Sequence, residues 1–160
     1  MLLLEQLRYL HNPRMQRDVA LILCNPDVID LVAYLLARRN MTYIGLDPWA
    51  GVSSMQRLIS MHRPAYVVMD LIPDYRSSGR DALRLMKLFP ESKFIFTAAD
   101  PQLALARLPW LKSYATFQKP FDPILLTDLI TSMSHRRAKA AAARLGADRE
   151  LQTNLMRTAY

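Results

Sequence analysis

The chain has 160 residues, enough to bury the core of one domain with short extensions and too few for two well-packed domains. A hydrophobic content of 51% argues against a disordered chain, a single cysteine excludes an internal disulfide, and no apolar run is long enough to span a bilayer. The net charge of +7 is uneven: residues 18–132 hold 12 Lys/Arg against 11 Asp/Glu, whereas residues 133–160 hold 6 against 2.

Leu3, Leu7 and Leu10, at i, i+4 and i+7, predict a short helix in an N-terminal extension over residues 1–17. Its leucine-rich start meets Glu5 before any basic region or cleavage site, so the expected location is the cytoplasm, with no membrane contact. Ala20 to Leu23 form a first strand, and Asn25-Pro26 then opens a helix. The asparagine oxygen can accept an orphan N–H, and proline has none to lose at the first helical position. Val28, Leu31, Val32, Leu35 and Leu36 keep one face of that helix.

A strand near 41–45 and a helix near 54–61 follow, then the apolar strand ending at Asp70, a helix near 81–89 and the strand ending at Thr97. Asp100-Pro101 opens a short helix near 102–108. The strand Ala115–Gln118 precedes Lys119-Pro120, and Asp122-Pro123 opens the last helix, with Leu125, Leu126, Leu129, Ile130 and Met133 on one face. This alternation predicts an α/β fold: a doubly wound, five-stranded parallel sheet over residues 18–132 with helical extensions at both ends. The basic tail over residues 133–160 is expected to continue the last helix to Gly146, where Asp148 caps a further short turn carrying Leu151 and Leu155.

Asp70, Thr97 and Lys119 end three successive strands, and strand carboxyl ends in a parallel sheet face one crevice. A carboxylate there commonly caps a loop, and threonine suits any strand. The signal lies in the three together: Thr97 follows Asp70 by 27 residues and Lys119 follows Thr97 by 22, each about one helix plus one strand.

In this set and order the chain resembles the receiver domain of two-component response regulators, over 115 of its 160 residues. The resemblance implies the flavodoxin-like strand order 2-1-3-4-5, with Asp70 as phospho-acceptor, Thr97 and Lys119 as phosphate contacts, and a cis Lys119-Pro120 bond. It also implies a role in signal transduction and phosphorelay rather than enzymatic turnover.

Receivers close their first strand with an acidic pair that holds magnesium. Here that place falls on Leu23 and Cys24, or one residue on, on Cys24 and Asn25, and neither register offers an acid. Pro73 and Gly79 lie one residue early and one late relative to the usual receiver loop, and Thr116 occupies the place of the switch aromatic. The expectation is therefore a pseudo-receiver that needs no cofactor, binds Mg2+ weakly at most, and takes phosphate inefficiently. An authentic phospho-acceptor on Asp70 is the alternative.

Lys119 is expected to pair with Asp70, and Cys24 to pack as a small hydrophobe near that carboxylate, which should raise its thiol pKa. His11, His62 and His135 lack metal-ligand spacing. A protein partner or a second copy is expected to meet Trp110 and Tyr114 and the tail residues Arg136, Arg137, Leu151 and Leu155. Binding of nucleic acid through the basic tail is the lesser alternative, because phosphate contacts alone would be non-specific.

Overall fold

A computed structural model describes residues 16–158, with side chains described to residue 147. The expected helix of Leu3, Leu7 and Leu10 therefore lies outside the described residues, as do the side chains of Leu151 and Leu155. Five strands, β1 (Val19–Ile22), β2 (Tyr43–Leu46), β3 (Tyr66–Leu71), β4 (Lys93–Ala98) and β5 (Thr116–Gln118), form one parallel sheet in the order β2-β1-β3-β4-β5. Five α-helices alternate with them: α1 (Pro26–Ala37), α2 (Val52–His62), α3 (Arg76–Leu88), α4 (Pro101–Arg107) and α5 (Pro123–Thr158). Short 3₁₀ turns stand at Pro48–Ala50 and Pro109–Ser113.

The inner strands are apolar on both faces, as a sheet covered by helices on either side requires. Every residue of β1 and β3 is buried, and Leu21, Ile22, Met69, Ile95 and Phe96 are among the largest fully buried side chains. At the amino edge, the Asp18 carboxylate accepts the Thr42 N–H (2.7 Å) and the Thr42 hydroxyl (2.9 Å), which pins β1 to the approach of β2. The chain divides by its contacts into a unit ending at Leu126 and a second from Thr127 to Tyr160, with α5 continuous through the division.

The three Asx-Pro caps form as the chemistry requires. The Asn25 oxygen accepts the Asp27 N–H at 2.9 Å, Asp100 accepts the Leu103 N–H at 2.9 Å, and Asp122 accepts the Ile124 N–H at 2.8 Å. Asp47 adds a fourth by accepting the Trp49 N–H at 2.8 Å.

Four local expectations need correction. The second strand begins at Tyr43 rather than Met41, because Asn40 turns the chain in a left-handed conformation and the Met41 N–H is still bonded to Leu36 O. The third helix begins at Arg76 rather than near Asp81, and the polar run Ser77-Ser78-Gly79 is its first turn, with Ser78 and Gly79 buried. A Cβ on Gly79 would stand 2.5 Å from Leu108 Cδ2, so glycine there permits the close approach of Leu108. Cys24 is exposed, whereas Leu23 beside it is buried. Finally, α5 passes through Gly146 without a break, because a lone glycine costs a helix only about 1 kcal/mol relative to alanine.

Candidate functional site

Parallel register brings the strand ends together. Ile22 pairs with Met69, Asp70 with Thr97 and Thr97 with Phe117, while the Lys119 N–H continues the ladder to Ala98 O at 2.9 Å. Asp70 is the focus, at 3% exposure. Its Oδ1 accepts the hydroxyl of Thr97. Its Oδ2 accepts the backbone N–H of Cys24 at 2.7 Å and lies 3.0 Å from the Lys119 ammonium. A buried carboxylate requires such partners, since an uncompensated charge at this depth would cost several kcal/mol. Lys119 keeps its side chain 31% exposed, at the mouth of the sheet, and is followed by a cis bond to Pro120.

The two places aligned with the acidic pair divide between core and crevice. Leu23 fills the core, and Cys24 offers its backbone to Asp70. The Cys24 thiol is pushed up from 9.0 to about 11 by partial burial first, then by the hydrogen bond and charge of Asp70, with Asp47 adding and Lys119 opposing. A thiol held protonated at neutral pH is a poor nucleophile and a poor ligand. Asn25 caps α1. Among the described residues no group of three or more His, Cys, Asp or Glu side chains could hold a metal ion.

Trp110 and Tyr114 are brought together. Their rings pack edge-on at 5.8 Å, and both meet Phe96 of β4 edge-on, at 5.5 and 5.6 Å. Trp110 is half-buried and Tyr114 exposed, so much of their aromatic surface is engaged within the fold. Thr116 pairs in register with Phe96 at the start of β5, so no β5 aromatic flanks this cluster from that place. Arg136 and Arg137 lie exposed on α5, with Arg136 Nε donating to Ser132 O at 3.4 Å.

Tyr75 was not anticipated from the sequence. It ends the β3–α3 loop with a left-handed backbone, as does Asp74 before it, and its ring is buried. Its hydroxyl accepts the Asp100 N–H at 3.0 Å, tying the loop after Asp70 to the cap of α4. Ser78 braces the same loop by accepting the Ile72 N–H at 3.1 Å. The Pro73-Asp74 turn signal marks a loop there, but nothing in the periodicity singles out the tyrosine.

No protein-family model and no curated protein matches the chain. Solved structures do. The chain is similar to a CheY-like response regulator receiver domain from Methanospirillum hungatei JF-1, with 16% identity and a TM-score of 0.63 over 78% of this chain and 98% of that one. It is also similar to the PhyR response regulator REC domain of Erythrobacter litoralis, with 19% identity and a TM-score of 0.59 over 73% and 88% of the two chains. A third similarity is to the anti-anti-sigma factor PhyR from Bartonella quintana, at 17% identity and a TM-score of 0.58, covering 88% of this chain and 56% of that one. At these identities the likeness shows the fold. The chain has the receiver fold, with the strand order that the resemblance implied.

Proposed function

We propose that the protein is a receiver-type signal-transduction regulator that acts by contact with other proteins, and that its Asp70 pocket takes a phosphoryl group inefficiently. One observation carries this reading: both oxygens of Asp70 are engaged by Thr97, Cys24 N–H and Lys119, while the neighbouring pair positions hold an apolar side chain and a protonated thiol. Magnesium is a hard ion, held by oxygen donors and commonly by one or two carboxylates plus phosphate and water. Asp70 alone is a donor set that does not fit it, and without a cation nothing offsets the charge of an incoming phosphoryl group beyond Lys119. The cluster then serves as a structural ion pair that locks the sheet edge. A protein-contact role without catalytic turnover also accords with the likeness to PhyR of Bartonella quintana, named an anti-anti-sigma factor.

Incubation with acetyl phosphate and magnesium is expected to leave the mass of the protein unchanged. Cys24→Asp/Asn25→Asp, at the exposed positions of the second register, should raise both magnesium affinity and phosphoryl uptake. Stoichiometric, magnesium-dependent phosphorylation that disappears in Asp70→Asn would overturn the reading in favour of an authentic phospho-acceptor, which the intact Asp70–Thr97–Lys119 geometry favours as the second reading.

We further propose that the basic helical continuation of α5, including Arg136, Arg137, Leu151 and Leu155, supports association with a partner or a second copy. Apolar docking resists salt, whereas nucleic-acid phosphate binding weakens steeply with it. Deleting residues 134–160 should lower the association state in light scattering or abolish partner capture at moderate salt; an unchanged association state with unchanged capture would count against it. Among the described residues no helix is long and apolar enough to cross a membrane.

A further inference from the structure

Helix α3 carries a row of cations that the Asp70 pocket does not use. Arg76, Arg80, Arg84 and Lys87 stand at i, i+4, i+8 and i+11, which places them within about 100° of one another around the helix, and all four are exposed. Among the described residues none of the four joins an ion pair; the nearby pair is Arg107–Asp74, 3.9 Å apart and well exposed. Like charges at i, i+4 each cost a helix roughly 0.2–0.5 kcal/mol, so the row weakens α3 with no return inside the fold.

The row borders a groove. A cleft of about 520 Å³ is lined by Asp74, Arg76, Ser77, Gly79, Arg80, Leu83 and Leu108. Gly79 lets Leu108 press against α3 and form an apolar floor. Leu83 lies in the same angular stripe as the cations and is 44% exposed, although it is a large aliphatic side chain. Two of the four cations line the cleft, and the others extend the row along the helix.

We propose that this groove along α3 receives an acidic amphipathic segment of a partner protein. Its carboxylates would meet Arg76, Arg80, Arg84 and Lys87, and an apolar side chain would seat against Leu83 and Leu108. Arginine suits this role because its planar fork matches a carboxylate bidentately. The row spans about 16 Å at 1.5 Å per residue, longer than a single bound anion needs and about the length of three helical turns. Charge alone would equally suit a nucleic-acid backbone, but Leu83 and the Leu108 floor would gain nothing from it. The proposal extends the protein-contact reading to a face that neither Asp70 nor α5 supplies, so the two can fail separately.

The test uses the full chain and a fluorescein-labelled amphipathic helical peptide with Glu at i, i+4 and i+8 and Leu between them, followed by fluorescence anisotropy at moderate salt. Saturable binding is expected, with no binding of the same peptide carrying Lys for Glu. Arg80→Glu/Arg84→Glu should weaken binding by about tenfold or more, as charge pairs at interfaces do. Leu83→Ser, which removes the apolar contact without adding charge, should also weaken it, while Arg136→Glu/Arg137→Glu on α5 should leave it unchanged. Absence of saturable binding would overturn the proposal. So would indifference to Leu83→Ser, which would reduce the contact to unspecific charge, or displacement of the peptide by duplex DNA at lower concentration than by unlabelled peptide. Thermal melting of each variant within a few degrees of the parent separates lost binding from lost fold.

Discussion

The cation at the mouth of the sheet and the cations along α3 use the same chemistry for opposite ends. Lys119 is directed inward onto a carboxylate that would otherwise be buried without its full set of partners. Arg76, Arg80, Arg84 and Lys87 face solvent on a helix with one carboxylate, Asp81, among its residues. The first arrangement is an internal commitment, in which breaking one member exposes the desolvation cost of the other. The second is unspent, and its removal should cost the fold almost nothing. A charged residue's place in stability or in recognition is thus decided by what faces it, not by its type.

The largest effect should come from breaking the internal pair. Lys119→Met leaves Asp70 with Thr97 and Cys24 N–H but no countercharge. Breaking a fully buried pair costs about 3–5 kcal/mol; with Lys119 partly exposed, a loss of about 2–3 kcal/mol is expected in urea unfolding at neutral pH. Asp70→Asn, which removes the charge and keeps the shape, should cost less. Equal and small losses in both variants would mean that water already screens the site, and the contrast with α3 would disappear.

An intermediate effect is expected at Cys24, whose raised thiol pKa reports on the same carboxylate. Because the pKa lies above that of an ordinary cysteine, the protonated thiol is favoured in the fold. Its contribution to stability is therefore present below about pH 9 and is lost as pH rises toward about 11. Reaction with iodoacetamide at pH 8 should run on the order of tenfold slower than for an unhindered cysteine, because roughly a hundredfold less thiolate is present and the more basic sulfur offsets only part of that loss. Asp70→Asn removes one of the raising influences and should speed it. A native rate that matches free cysteine would place the thiol in open water, away from Asp70.

The first of these tests falls where sequence reading was strongest. Asp70, Thr97 and Lys119 were legible because each ends an apolar run, and strand ends in a parallel sheet converge whatever the loops do. The caps at Asn25, Asp100 and Asp122 were legible because their chemistry is local. The start of α3 was not, since Ser77-Ser78-Gly79 reads as a loop until Leu108, far along the chain, packs onto Gly79. Tyr75 was hidden for the same reason: its partner, the Asp100 N–H, belongs to another loop. Cys24 misled because the strand ends at Ile22 and Leu23 completes the core, so the next side chain leaves it. Local signals resolve from sequence, while those that depend on a distant neighbour do not.

The smallest effect should be the stability change when the α3 row is reversed in part. Arg80→Glu/Arg84→Glu turns the 76–80 and 84–87 contacts into opposite pairs and leaves 80–84 a like pair, now of two carboxylates. Each repulsive i, i+4 contact removed returns roughly 0.2–0.5 kcal/mol, and each new opposite pair adds a similar amount. Exposed pairs are worth little and are screened by salt, so the sum should stay within about 1 kcal/mol and on the stabilising side at low salt. Urea unfolding of this variant beside Lys119→Met checks it, with the difference between them narrowing as salt is raised only to the extent that the α3 term fades. A loss of 2 kcal/mol or more would show that the arginines are committed inside the fold, and a surface so committed would not be free to meet an acidic partner.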